Sequence, residues 1–187
     1  MKSNDLKPGV AVNLNGKLYV IVKTEHVKPG KGPAYTQAKM RAVDGSGTQE
    51  KRFGVTDNID GATLDKREME FLYSDGAGGG TFMDTKDYDQ VELPGALLGD
   101  IILYLAPNST CTVMFHDENP VSVELPSSVE LTIAETQPGI KGATATNQLK
   151  EAVCDTGLKT RVPPFITEGE KIRVSTEDGS YMSRVKA

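Results

Sequence analysis

Apolar and polar residues alternate with a period of two along most of this chain. Leu18, Val20 and Val22 share one face of such a run, and Cys111, Val113 and Phe115 share another. Val121, Val123 and Leu125 alternate with Ser122 and Glu124, Val129, Leu131 and Ile133 with Glu130 and Thr132, and Ile172 and Val174 with Lys171, Arg173 and Ser175. A strand sends successive side chains to opposite faces, so each run predicts a half-buried β-strand. Turn-forming pairs punctuate the runs: Asn15-Gly16, Asp44-Gly45, Asp75-Gly76, Asn119-Pro120, Pro138-Gly139 and Asp178-Gly179. Short strands so spaced predict an all-β fold of sandwiches or barrels. Only residues 64–70 and 93–98 read as helical, and both stretches are brief.

Two joints divide the chain. Thr56 to Gly61 is polar and turn-rich, and Pro126-Ser127-Ser128 separates two strand patterns. The expected domains are therefore 1–62, 63–126 and 127–187, each about 60 residues and large enough for one small barrel. Charge divides at the first joint. Residues 1–62 carry ten Lys and Arg against six Asp and Glu, and the remainder carries eleven against twenty. A basic end on a chain of net charge −5 suggests that this end meets a polyanion.

The basic end has a distinctive apex. In the run from His26 to Tyr35, HVKPGKGPAY, Lys31 stands between Gly30 and Gly32, themselves bracketed by Pro29 and Pro33. Alternating sequence on both sides predicts a hairpin with Lys31 at its tip. Glycine permits positive φ and proline removes backbone freedom, so a flexible cation is carried on a stiffened loop. His26, Lys28, Lys39 and Arg41 add positive charge nearby, as a phosphate-binding surface would require. Tyr35 is the one neighbouring aromatic, which does not suit a protein that stacks single-stranded bases. The tip is not a P-loop, because Gly32 and Pro33 stand where Ser or Thr and a helix are needed.

Candidate chemistry is otherwise sparse. The two histidines, His26 and His116, lack a nucleophile or a metal-ligand partner at short spacing, so no catalytic residue, metal or cofactor is assigned. Gly76 to Gly80 lacks a following helix pattern and reads as a hairpin turn rather than a phosphate cradle. Cys111 and Cys154 read as reduced thiols of a cytoplasmic protein. The apolar run at 101–106 is too short to span a bilayer, so no membrane role is expected.

Three separated stretches resemble bacterial elongation factor P. They are Val27 to Gly32 (VKPGKG), Arg67 to Gly76 (REMEFLYSDG), and a C-terminal group comprising VPPFI at Val162 to Ile166, GEKIRV at Gly169 to Val174 and GSYMSRV at Gly179 to Val185. The resemblance runs along nearly the whole chain. It implies an SH3-like, KOW-like N-terminal barrel followed by two OB-type barrels in an L-shaped, tRNA-like arrangement. It also implies a monomer without catalysis of its own, acting on 70S ribosomes stalled at consecutive prolines. The factor would sit between the peptidyl and exit tRNA sites, with ribosomal RNA, peptidyl-tRNA and exit-site mRNA as partners. Lys31 would contact the CCA end of peptidyl-tRNA, with Lys28, Pro29, Gly30, Gly32 and Pro33 shaping the tip. Relatives differ in whether the tip residue is covalently extended, so a lysine-modifying enzyme acting on Lys31 is a further candidate partner.

Two departures qualify the likeness. Many relatives read Lys-Gly-Asp-Thr in a third-domain loop, where this chain has Lys141-Gly142-Ala143-Thr144. An mRNA contact through the aspartate side chain is lost, leaving Gly142 and Thr144 as the candidate mRNA-contact residues. Pro33 follows the tip glycine, where other residue types are common, and is expected to push Gly32 toward extended geometry. The related elongation-factor-P-like proteins lack the Pro-Gly-Lys-Gly tip that is present here. The competing reading from the residues alone is a general structured-RNA-binding protein or RNA chaperone.

Overall fold

The computed structural model describes residues 1–138 and 148–186. The fold is all-β, as the alternation predicts, and is built from three five-stranded antiparallel sheets that curl toward barrels. The first contains β1 (Ala11–Leu14), β2 (Lys17–Val27), β3 (Tyr35–Ala42), β4 (Thr48–Gly54) and β5 (Asp60–Ala62), in the order β4-β3-β2-β1-β5. The second contains β6 (Asp65–Ser74), β7 (Gly80–Asp84), β8 (Gln90–Leu93), β9 (Thr110–His116) and β10 (Asn119–Glu124), ordered β10-β9-β6-β7-β8. The third contains β11 (Ser128–Thr136), β12 (Lys150–Cys154), β13 (Lys159–Val162), β14 (Lys171–Ser175) and β15 (Tyr181–Arg184), ordered β13-β12-β11-β14-β15.

Each sheet buries the apolar half of its alternation. Val12, Ile21, Ala38, Met40 and Phe53 pack with Leu6 and Ile59 inside the first. Val129, Leu131, Ile133, Ile172 and Val174 pack with Cys154, Val162 and Ile166 inside the third. Complete burial of such side chains is worth about 1.5–3 kcal/mol each, which is why the alternation carries the fold.

The helix expected at 93–98 is present as the single turn α1 (Gly95–Leu98), continued by a 3-10 segment at Gly99–Tyr104. The helix expected at 64–70 is absent, and those residues enter β6. Lys66, Arg67, Glu68 and Glu70 favour helix, but Met69 and Phe71 are buried two apart, and Met69, Glu70 and Phe71 pair with Asp84, Met83 and Phe82. Cross-strand pairing and burial override the local preference.

Turn chemistry follows the same logic. Asn15 and Gly16, at φ 52° and 80°, close the two-residue β1–β2 hairpin in the doubly left-handed form that such turns need. The turn expected at Asn119-Pro120 lies two residues earlier, at Asp117 and Glu118, which take φ 49° and 66° without glycine. Asn119 and Pro120 instead begin β10, an outermost strand of its sheet, where proline's missing N–H is tolerated. Gly76 to Gly79 form the β6–β7 turn, with the Asp75 carboxylate accepting the Ala77 and Gly79 amides at 2.7 and 3.0 Å.

The described chain divides into two compact units, Met1–Arg67 with Val113–Glu124, and Glu68–Thr112 with Leu125–Ala187. Within the first, Val20 packs against Met114 and Val121, with Leu18, Val43 and Leu64 around them. Arg67 is bound there by Asp65 at 2.9 Å and by both oxygens of Glu118 at 3.0 Å, and it lies 4.3 Å from the Phe115 ring centre. Within the second, Leu103, Tyr104 and Ala106 pack onto the core of the third sheet.

Candidate nucleic-acid interface

The longest strand among the described residues, β2, runs antiparallel to β3, and their pairing continues to His26↔Thr36 and Val27↔Tyr35. Residues 28–34 then form the tip, so the sequence-predicted apex is where the structure has it. A bulge between Ile21 and Lys23 leaves Val22 unpaired and outward, and such an insertion bends the hairpin and increases its twist. His26 Nδ1 lies 2.9 Å from the Thr36 hydroxyl oxygen and ties the two arms together just below the tip.

At the apex, Lys28, Gly30, Lys31, Gly32 and Pro33 are exposed and Pro29 is half-buried. Gly32 has φ +105°, a region L side chains rarely adopt, so extended geometry imposed by Pro33 does not occur there. The sharp reversal falls on the one residue type that takes it without strain. A Cβ at Gly32 would meet only Pro29 Cγ, at 4.0 Å, so the two residues face each other across the loop. Gly30 has open space around it and does not take positive φ. The tip's need for glycine is therefore concentrated at Gly32.

Among the described residues, no carboxylate lies within 4.0 Å of the Lys28 or Lys31 ammonium. The other cations of the sequence cluster separate in space. Lys39 points outward on β3 opposite Glu50 of β4. Arg41 turns away from solvent, donates to the Val121 carbonyl at 2.8 Å, and has its pKa lowered by burial. It is a structural tie, not a free phosphate ligand.

A further cation stands beside the tip that no sequence pattern marks. Arg52 of β4 places its guanidinium 4.8 Å from the centre of the Tyr35 ring, at the base of the tip. β4 is polar and exposed from Thr48 to Arg52, but only the β3–β4 register puts Arg52 beside Tyr35. Gly142 and Thr144 lie outside the described residues. Among the described residues no group of three His, Cys, Asp or Glu side chains could hold a metal ion, and no helix is long and apolar enough to cross a membrane. His116 stands 3.7 Å from Asp117 at the β9–β10 turn.

Comparison with known proteins matches the chain in three consecutive segments. Residues 2–59 match "Elongation factor P (EF-P) KOW-like domain", residues 64–123 match "Elongation factor P (EF-P) OB domain", and residues 129–184 match "Elongation factor P, C-terminal". Proteins named elongation factor P are similar over nearly their full length. That of Parafrankia sp. (strain EAN1pec) is 43% identical over 183 residues, covering 98% of this chain and 97% of the relative. That of Acidothermus cellulolyticus is 42% identical over 185 residues, covering 99% and 98%. Among solved structures, one titled eukaryotic translation initiation factor 5A from Methanococcus jannaschii is 22% identical with TM-score 0.45, covering 67% of this chain and 90% of that one. The three matched segments and the full-length sequence relatives agree, and the chain belongs to the elongation factor P family of translation factors.

Proposed function

We propose that this protein binds the 70S ribosome between the peptidyl and exit tRNA sites and promotes peptide-bond formation at consecutive prolines. The observation that carries the reading is Lys31, an exposed ammonium without a carboxylate neighbour among the described residues, held at the apex of the long β2–β3 hairpin. In this reading Lys31 donates hydrogen bonds to the CCA end of peptidyl-tRNA. Pro29 and Pro33 limit the loop on either side and Gly32 makes the reversal, so little loop entropy is lost on binding.

The chain contributes position rather than chemistry. Ribosomal RNA carries out peptide transfer, and the protein holds a poorly placed peptidyl-tRNA in an attack-ready geometry, lowering the entropic part of the barrier. The basic end, 1–62, enters the RNA-lined centre. Residues 63–126 and 127–187, strongly acidic together, supply the remaining contacts, with Gly142 and Thr144 toward exit-site mRNA. The protein works as a cytoplasmic monomer, without metal or cofactor, and Lys31 is the residue a modifying enzyme would extend.

The test is reconstituted translation of a message encoding three consecutive prolines, with and without the protein. Stalling relieved in proportion to added protein is the expected result. A general RNA chaperone would instead bind free RNA with strong salt dependence and leave the stall unchanged.

A further inference from the structure

We propose that Arg52, laid on the face of Tyr35, is a second RNA-backbone contact of the hairpin, behind Lys31; this rests on the RNA-contacting role proposed above for the tip. In the β3–β4 ladder Gln37 is Arg52's direct partner, whereas Tyr35 is paired with Gly54. Tyr35 is thus Arg52's diagonal neighbour, two residues nearer the tip. A diagonal neighbour is within reach of a long side chain, and two residues of strand amount to about 7 Å. Gly54 offers no side chain beside the ring, and the guanidinium lies over it with its centre 4.8 Å from the ring's. Arg52 therefore leans toward the tip.

Among the described residues its guanidinium has no hydrogen-bond partner. Gln37, the direct partner, donates instead to Glu50 at 2.9 Å, and that contact engages the carboxylate two positions from Arg52. Glu25 lies opposite Gln37 on the far strand, so a whole strand separates its position from that of Arg52. Among the described residues Arg52 has no carboxylate within 4.0 Å. A guanidinium held over an aromatic ring by its cationic face keeps N–H donors free for an anion, and their fork matches the spacing of phosphate oxygens. A lysine there would retain the charge but neither the stacking nor the fork. Lys31 and Arg52 then form a two-point grip, one cation at the tip and one held at its base.

The phosphate could belong to peptidyl-tRNA or to ribosomal RNA, and the test separates them. Wild type, Lys31→Ala, Arg52→Gln and Arg52→Lys are titrated in triple-proline translation, and their ribosome affinity is measured over a salt series with and without peptidyl-tRNA in place. Arg52→Gln should raise the half-saturating concentration by about tenfold. It should also flatten the salt dependence by about one phosphate contact. Arg52→Lys should restore the salt slope but only part of the affinity. A loss confined to ribosomes holding peptidyl-tRNA assigns the phosphate to the tRNA, and a loss on both assigns it to ribosomal RNA. An Arg52→Gln titration overlaying wild type, or a loss with unchanged salt slope, overturns the proposal. If Lys31→Ala also behaves as wild type, the role proposed for the tip fails instead.

Discussion

Arg41 on β3 donates a 2.8 Å hydrogen bond to the carbonyl of Val121 on β10, eighty positions along the chain. The arginine sits at the root of the hairpin whose other end carries Lys31. Val20, its cross-strand partner on β2, packs against Met114 and Val121. Replacing Arg41 by Met keeps the stem's bulk and leaves the Val121 carbonyl without its donor. The expected cost is about 1–3 kcal/mol, read as a lower denaturation midpoint, with Arg41→Lys recovering only part of it.

The same packing predicts the behaviour of a fragment comprising residues 1–62. Cut there, the first sheet loses Leu64, Met114 and Val121 from around Val20, together with the acceptor for Arg41. Stability should fall by roughly 2–4 kcal/mol relative to the same sheet in the full chain, measurable by hydrogen exchange of the β2–β3 amides. Equal protection in the fragment and the full chain would show that this cluster contributes little.

Glycine substitutions in the tip separate geometry from flexibility. Gly32 at φ +105° is strained by any side chain, whereas Gly30 has neither positive φ nor a near neighbour. Gly32→Ala should redirect the tip and weaken rescue of proline stalls, with Gly30→Ala much milder. The global melting temperature should change little in either, because the loop is exposed. Equal rescue by both variants would mean that the loop's backbone path is unimportant.

A different glycine cost applies in the β6–β7 turn. A Cβ on Gly79 would stand 2.5 Å from the Leu93 carbonyl oxygen, and one on Gly80 would stand 2.7 Å from Phe71 Cε2. Alanine at either position should destabilise by about 1–3 kcal/mol through overpacking, seen as a lower thermal midpoint. At Gly76, with φ +81° and no neighbour within 4 Å, alanine meets only the backbone penalty of about 1 kcal/mol.

The strands were legible because burial on one face leaves period two in the sequence. Ile172 and Val174 show it, alternating with Lys171, Arg173 and Ser175. The 64–70 stretch misleads because its charged residues favour helix, and only the pairing of Met69 and Phe71 with β7 reveals the strand. At the tip, the Gly and Pro residues announced the hairpin, but not which glycine would reverse it. Arg41 and Arg52 were beyond reach for another reason. In the sequence each is one more charged residue of a strand, and only tertiary register sends one to Val121 and the other to Tyr35.

The buried thiols make a prediction at alkaline pH. Burial pushes Cys111 up to about 12, and burial with the Asp155 charge pushes Cys154 up to about 11. The unfolded chain releases these protons near pH 8.5, while the folded chain keeps them. The stability they contribute is thus complete below about pH 8.5 and is lost progressively as pH rises toward 11–12. Native protein at pH 8 should resist a thiol reagent and react only after denaturation. Rapid labelling of the native fold would contradict the burial of both groups.

The role assigned to the tip stands or falls on Lys31. The measurement is the rate of triple-proline synthesis in reconstituted translation with wild type and with Lys31→Ala, both first shown to have the same melting curve. An exposed tip residue should alter stability by no more than about 0.5 kcal/mol, so any difference in rate reports function. Loss of most of the rescue by Lys31→Ala is the expected result. Equal rescue by the two proteins would contradict the proposal that Lys31 positions peptidyl-tRNA.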